Sequence, residues 1–395
     1  MGDRELAIFG AEPAFKVPLC VGKPNLVSLP KILANVTHVL ESRWLTNDGP
    51  CVHKLEQDIC RRLNVAHCIA VANGTLGLEL AVRALVSEGA EIIVPSFTFI
   101  ATPNALRWQQ YKVVFADIDL ITHVLDPEDV AAKITERTGA ILGVHVWGTP
   151  CAIEPLTDLA CKHGIPLIFD AAHAFCTEYD WRSIGNFGAC EVFSFHATKF
   201  FNTVEGGAIT TNDAELAKDL REMRNFGFVG DNSHNVAGIG INAKMSEVHA
   251  AIGIANLVSV TDFIQQNTRN YLEYRKFLQH ESLHVYNVNS ISNHQYVVVE
   301  LIGDDVSADV LERVLRAENV LARRYFSPPC HLMDSYSDEY WVLPVTEQVA
   351  KRTLVLPTGM SVSLKEIDIV CQIVLYYVEH AAEIATKLAE ENNYG

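Results

Sequence analysis

Basic residues are scarce in this chain of 395 residues. Lys and Arg number 31 against 48 Asp and Glu, a formal net charge of −17. A surface of that sign repels phosphodiester backbones and anionic lipid headgroups, so neither nucleic acid nor a membrane is expected as a partner. An anionic small molecule could still be held by a local cradle. No uncharged apolar run reaches the length of a membrane span. The opening MGDRELAIFG has no apolar signal core, and Leu6 breaks the myristoylation pattern. None of the ten cysteines forms a C-x-x-C pair, so a zinc site is not expected. The G-x-G-x-x-G fingerprint is missing too, which weighs against a nicotinamide enzyme. With no flexible linker or internal repeat either, the expectation is a cytoplasmic protein with free thiols, folded nearly throughout.

What the chain does contain is apolar patterning. Hydrophobic residues make up 49% of it, enough for two cores. From about residue 50 to 215, short β-rich runs alternate with helical patterns. The runs are HCIAVA from His67, EIIVP, KVVFADI, AILGVHV, IPLIFD, VFSF and GAITT. Helices are expected at Val52–Leu63, with Leu55, Ile59 and Leu63 on one face, and at Thr75–Leu85, Glu154–His163 and Ala214–Arg224. This alternation predicts an α/β domain with a mixed, mostly parallel sheet. Beyond about 245 the pattern changes to long helices at Met245–Val260 and Asp262–Leu278, a strand in QYVVVELI, a helix at Ser307–Glu318 and one long helix at Ile367–Leu388. We therefore expect a large domain with an N-terminal arm over residues 1–260 and a smaller α+β domain over 261–395.

Four stretches sit where strands should end, which is where open α/β sheets bind ligands. In VANGTLGLEL, Gly74 and Thr75 would open a helix and offer free N–H groups to an anion, or Thr75 would simply cap it. In IPLIFDAAHAF, Asp170 could hold a cation or a protonated ring nitrogen, or cap the next helix; His173 could be a core histidine. In FSFHATKFFNTVEGGA, Lys199 stands among Phe193, Phe195, Phe200 and Phe201 with no acid before Glu205. A lysine in such company either snorkels or is used chemically. In VPSFTFIATPNA, Phe99 could cover a planar ring or belong to the core. An anion cradle, a carboxylate, an amine and an aromatic plate are together what pyridoxal 5′-phosphate requires. Opposite charges at 4 Å interact by about 4 kcal/mol at an effective dielectric of 20, enough to keep a pyridinium protonated.

The same residues resemble a known family. FDAAHAF, VFSFHATK, EGGA and NAKMSE, in that order, are similar to motifs of the DegT/StrS nucleotide-sugar aminotransferases, and the likeness runs from VGKPN at Val21 to VLPTG at Val355. It implies the PLP-dependent transferase fold of type I, the architecture of aspartate aminotransferase. Residue by residue, Lys199 matches the lysine that carries the cofactor and Asp170 the partner of its ring nitrogen. His173 matches a residue near the ring hydroxyl, Ser194 a phosphate-binding serine, Gly74 and Thr75 the phosphate cradle, and Phe99 the stacking aromatic. Asn242 matches an asparagine that reaches the neighbouring subunit's phosphate, which implies a homodimer with shared active sites. Weaker matches place Trp44, Asn47, Arg224, Tyr325 and His331 around the sugar. Ala243 and Lys244 stand where the family often has Tyr or Arg, and the His-containing stretch between Val229 and Ala237 is also atypical.

SRWLTNDGP, GVHVWG and VLARRYFSPPCH look most similar to the dTDP-4-amino-4,6-dideoxyglucose transaminases. The resemblance thus implies transfer of an amino group from L-glutamate to C4 of a dTDP-4-keto-6-deoxyhexose, with Lys199 moving the proton as a desolvated base. Amination at C3 of a 3-keto sugar and a non-catalytic regulatory role on the same fold are the alternatives. Relatives that remove a hydroxyl carry His in place of the lysine, so Lys199 argues against that chemistry.

Overall fold

The computed structural model describes residues 5–230, 235–288 and 291–394. Seven strands build the central sheet: β1 (His67–Val71), β2 (Glu91–Pro95), β3 (Lys112–Ala116), β4 (Thr138–Val144), β5 (Leu167–Asp170), β6 (Cys190–Ser194) and β7 (Gly207–Thr211). Their order across the sheet is β1-β7-β6-β5-β4-β2-β3. Every pairing is parallel except the two made by β7. All seven runs expected from the sequence are strands.

Strand residues alternate between two cores, as a two-sided sheet requires. Ile69, Val71, Ile92, Val94, Ile168 and Val192 face one layer; Cys68, Ala70, Ile93, Phe169 and Phe193 face the other. Helix α1 (Pro50–Leu63) covers the second face with Leu55, Ile59 and Leu63, each fully buried. Burying a side chain of that size contributes about 1.5–3 kcal/mol. Helix α2 (Gly74–Leu85) covers the first face, where Gly77 lets it approach: a Cβ there would lie 2.8 Å from Val192 Cγ1.

A third cluster surrounds a three-stranded antiparallel sheet of β8 (Leu283–Val285), β9 (Val297–Leu301) and β10 (Thr353–Leu356). Leu6, Phe15 and Leu19 pack into this cluster, so the N-terminal segment joins the C-terminal layer, and Leu19–Cys20 pairs with Val320–Leu321. Helices α3 (Glu247–Leu257) and α4 (Val260–Phe277) meet at a 61° bend. The single long C-terminal helix expected from the sequence is two, Leu364–Glu379 and Ala381–Tyr394, because the backbone leaves helical geometry at His380. Among the described residues, no single helix is long and apolar enough to cross a membrane. All ten cysteines are free.

Candidate active site

Register decides what meets at the carboxyl ends of the strands. Val71, Gly207 and Ser194 lie side by side across β1, β7 and β6, and Asp170 lies beside Val192. The Asn73–Thr75 turn, Ser194 and Asp170 are thereby gathered at one edge of a cavity of about 660 Å³.

Helix α2 begins there. Asn73 is its cap, with Oδ1 accepting the Leu76 N–H at 2.9 Å. Asn73 rather than Thr75 does the capping, so the first-turn amides of Gly74 and Thr75 point outward, where helix geometry leaves them without an intrahelical acceptor. Close packing fixes glycine at two positions. A Cβ on Gly74 would sit 3.1 Å from Ser194 Cβ, and one on Gly207 would sit 2.7 Å from the Phe193 carbonyl oxygen.

Lys199 lies in the 195–206 connection between β6 and β7, in a turn closed by its own N–H to the His196 carbonyl at 2.8 Å. Its neighbours are pinned. Phe200 N–H donates to Gln295 Oε1 at 3.0 Å, and Asn25 Nδ2 donates to the Phe200 carbonyl at 3.1 Å. Burial draws the Lys199 ammonium down from its ordinary 10.5 to about 8, with Asp170 and Tyr325 pulling the other way. The four flanking phenylalanines do not line its cavity. Phe193 and Phe195 are two residues apart and so share a side, where they pack with Phe200 and Phe201 around Phe175. The cavity's aromatic wall is instead Phe99, Tyr296, Tyr325 and Phe326.

Asp170, the last residue of β5, is 6% exposed. Its Oδ1 accepts the Ala172 N–H at 3.0 Å and its Oδ2 accepts the Thr102 hydroxyl at 2.8 Å. Burial raises its affinity for a proton, and those two bonds and Lys199 oppose the rise. His173 accepts the Trp147 N–H on Nδ1 at 3.3 Å, which assigns its own proton to Nε2. Burial, with Lys199 nearby, holds that ring well below its usual pKa and hence neutral.

Of the residues singled out in the sequence, Lys199, Asp170, His173, Ser194, Gly74, Thr75, Phe99 and Tyr325 line this cavity. Five do not. Asn242 is exposed, its backbone bridged to Asn225. Trp44 and Asn47 lie on an exposed loop, where the Trp44 indole N–H donates to the Thr46 carbonyl at 2.8 Å. Arg224 is buried, its guanidinium at 2.8 Å from Glu56 and 2.7 Å from Asp48. His331 is buried against Ser96, Nδ1 to Oγ at 2.6 Å. Residues 231–234 of the atypical stretch lie outside the described residues. Thr98, Thr102, His196, Glu205, Tyr296 and Phe326 also line the cavity, although none of them was given a role from the sequence. Only the i, i+4 spacing of the two threonines, in TFIAT, could have signalled that they meet.

A phosphate would find its donors at Gly74, Thr75 and Ser194, a pyridinium its acceptor at Asp170, and an aldehyde its amine at Lys199. The donor set therefore fits pyridoxal 5′-phosphate.

Comparison with known proteins agrees. Residues 29–375 match the family model described as DegT/DnrJ/EryC1/StrS aminotransferase. The chain is similar to a dTDP-4-amino-4,6-dideoxy-D-glucose transaminase of Shigella dysenteriae, 35% identical over 88% of this chain and 95% of that one. It is similar also to a GDP-perosamine synthase of Escherichia coli O157:H7, 31% identical over 89% and 96%. Among solved structures, DesI determined in the presence of its TDP-sugar product superposes with a TM-score of 0.92, 42% identity, and coverage of 97% of this chain and 99% of that one. The architecture is the fold of type I PLP-dependent transferases.

Proposed function

The chain belongs to the DegT/DnrJ/EryC1/StrS aminotransferase family, and we propose that this aminotransferase works in the cytoplasm with pyridoxal 5′-phosphate. It moves an amino group from L-glutamate to C4 of a dTDP-4-keto-6-deoxyhexose, giving a dTDP-4-amino-4,6-dideoxy sugar. The observation that carries the reading is one cavity holding Lys199, Asp170 and the open N-terminus of α2.

When bound, the cofactor supplies an electron sink that lets a C–H bond on the amino-bearing carbon break. The chain's own residues do the rest. Gly74, Thr75 and Ser194 would hold the phosphate, and Asp170 would accept the ring N–H. His173 presents its Nε2 proton to the cavity. Phe99, at the cavity's rim, would lie against the ring. With its amine drawn to about 8, Lys199 is free-base often enough near neutral pH to take a proton from the donor's α-carbon. It returns a proton to the sugar carbon in the second half-reaction. Tyr296, Tyr325 and Phe326 keep bulk water from that transfer.

The experiment that tests this reading incubates the protein with glutamate and, in separate arms, 4-keto and 3-keto dTDP sugars and a 4-keto GDP sugar. Products are read by mass and NMR. Amination at C4 of the dTDP sugar is expected; turnover in another arm alone overturns the substrate assignment. We also infer a homodimer in which Asn242 serves the partner's phosphate. Mixed Lys199→Ala and Asn242→Asp subunits would then place both defects in one site and leave the other intact. Random reassortment should restore about a quarter of wild-type activity. No recovery after proven subunit exchange places Asn242 elsewhere.

A further inference from the structure

Two buried hydroxyls stand behind Asp170. Thr98 and Thr102 are each 1% exposed, and both touch the cavity. Thr102 sits in the first turn of the helix Ala101–Trp108, Thr98 in the loop after β2. The Thr102 hydroxyl donates to Asp170 Oδ2 at 2.8 Å. Having given its one proton there, it must accept from Thr98, whose Oγ1 lies 2.9 Å away. Both protons therefore point the same way, Thr98 to Thr102 to Asp170, and each bond polarises the next. Oδ1 is meanwhile held by the Ala172 N–H at 3.0 Å. A carboxylate held at both oxygens cannot rotate.

We infer that Thr102, backed by Thr98, is a positioning residue. It fixes the rotation of the Asp170 carboxylate and keeps it ionised for a cationic ring nitrogen in the cavity. The inference rests on the cofactor reading above. A charge-assisted hydrogen bond to a buried carboxylate is roughly twice as strong as a neutral one. Burial raises the proton affinity of Asp170, and the Thr102 bond is one of the interactions that oppose the rise. Other titratable groups face the same carboxylate. Lys199 favours its charge, and Cys151 lies within electrostatic reach. His173 and His145 are held neutral by burial.

The test compares wild type with Thr102→Val, which keeps the shape and removes the hydroxyl, Thr102→Ser, which restores it, and Thr98→Val. Two readouts are used. One is the Asp170 carboxyl midpoint in the cofactor-free protein by carbon NMR. The other is the dissociation constant for pyridoxal phosphate, followed by its absorbance. Thr102→Val should raise the midpoint by about one pH unit and weaken cofactor binding about tenfold. Thr102→Ser should return both to within about twofold of wild type, and Thr98→Val should give a smaller shift of the same sign. An unmoved midpoint in Thr102→Val, or a Ser variant no better than Val, overturns the inference. Should Thr102→Val not fold, Thr98→Val decides alone, since Thr102 stays in place and an unchanged midpoint then rejects the relay. Failure of every protein, wild type included, to bind pyridoxal phosphate would instead sink the cofactor reading, while the cofactor-free titration still judges Thr102.

Discussion

The two ends of the proposed substrate path differ in how they are built. At the cofactor end, Gly74, Thr75, Asp170, Ser194 and Lys199 come from strand ends and one hairpin connection, and one subunit gathers them all. At the sugar end, Trp44, Asn47, Arg224 and His331 are scattered, two exposed and two buried in contacts of their own, and of the residues matched to the sugar only Tyr325 lines the cavity. A chemistry that needs one fixed ring position can be encoded on rigid sheet ends. Recognition of a larger, variable ligand falls to loops.

Lys199→Ala probes the first end most harshly. It should lower turnover by at least about 10⁴-fold, since both the cofactor's anchor and the proton carrier are lost. Single-turnover rates with glutamate measure this. Borohydride reduction of the wild type should mark the peptide bearing Lys199, and marking of another lysine would break the contrast by moving the reactive amine out of this cavity.

Asp170→Asn comes next. Losing an interaction of about 4 kcal/mol corresponds to roughly 10³-fold in rate. The fold should survive, because the amide oxygen can still accept the Ala172 N–H while its NH2 donates to the Thr102 hydroxyl. Near-normal turnover would mean that Asp170 is merely structural.

Arg224→Met then asks whether the second end contains structure posing as function. Arg224 is 3% exposed and bridges Glu56, Asp48 and the Ala70 carbonyl. Removing one partner from such a buried pair costs about 3–5 kcal/mol. Denaturant unfolding should show that loss, while turnover per folded molecule stays within about threefold. A raised KM for the sugar nucleotide with unchanged stability would return Arg224 to the substrate list.

These contrasts explain what could be read from the chain. Asp170, Ser194 and Gly74 were legible because a strand end is marked by a switch from apolar to polar within one or two residues, and the parallel β runs fixed which ends point the same way. The contacts of Arg224 and His331 could not be read from the chain because their partners, Glu56, Asp48 and Ser96, are far away in sequence. Thr102 went unnoticed for the same reason: its partner Asp170 is 68 residues on. The Phe run is a different case. Phe193 and Phe195 flank Lys199 in sequence, but their two-residue spacing turns them away from Ser194, into the core. The break at His380 left no Gly or Pro to announce it.

The smallest effect separates a functional lysine from a merely buried one without any cofactor. In the unfolded chain Lys199 titrates near 10.5, and in the folded protein near 8. Between those values the unfolded state holds the extra proton, so stability rises with pH across the window. Below about 8 both states are charged and the fold carries the full penalty of a half-buried ammonium; above about 10.5 both are neutral and it vanishes. A shift of this size is worth at most about 3 kcal/mol. Cofactor-free Lys199→Met, similar in length but uncharged, should therefore be more stable than wild type at pH 8. The gap should close steadily toward pH 10.5 in denaturant titrations. His173, held well below its usual value by burial, stays neutral across this window and does not blur it; Tyr325, pushed above 10 by burial, enters only at its upper edge. A gap independent of pH would show that packing, not charge, sets the cost of Lys199. A wild type more stable than the variant at pH 8 would show that the amine is already satisfied in the folded chain, as at the structurally bonded Arg224, and the two ends of the path would no longer differ in kind.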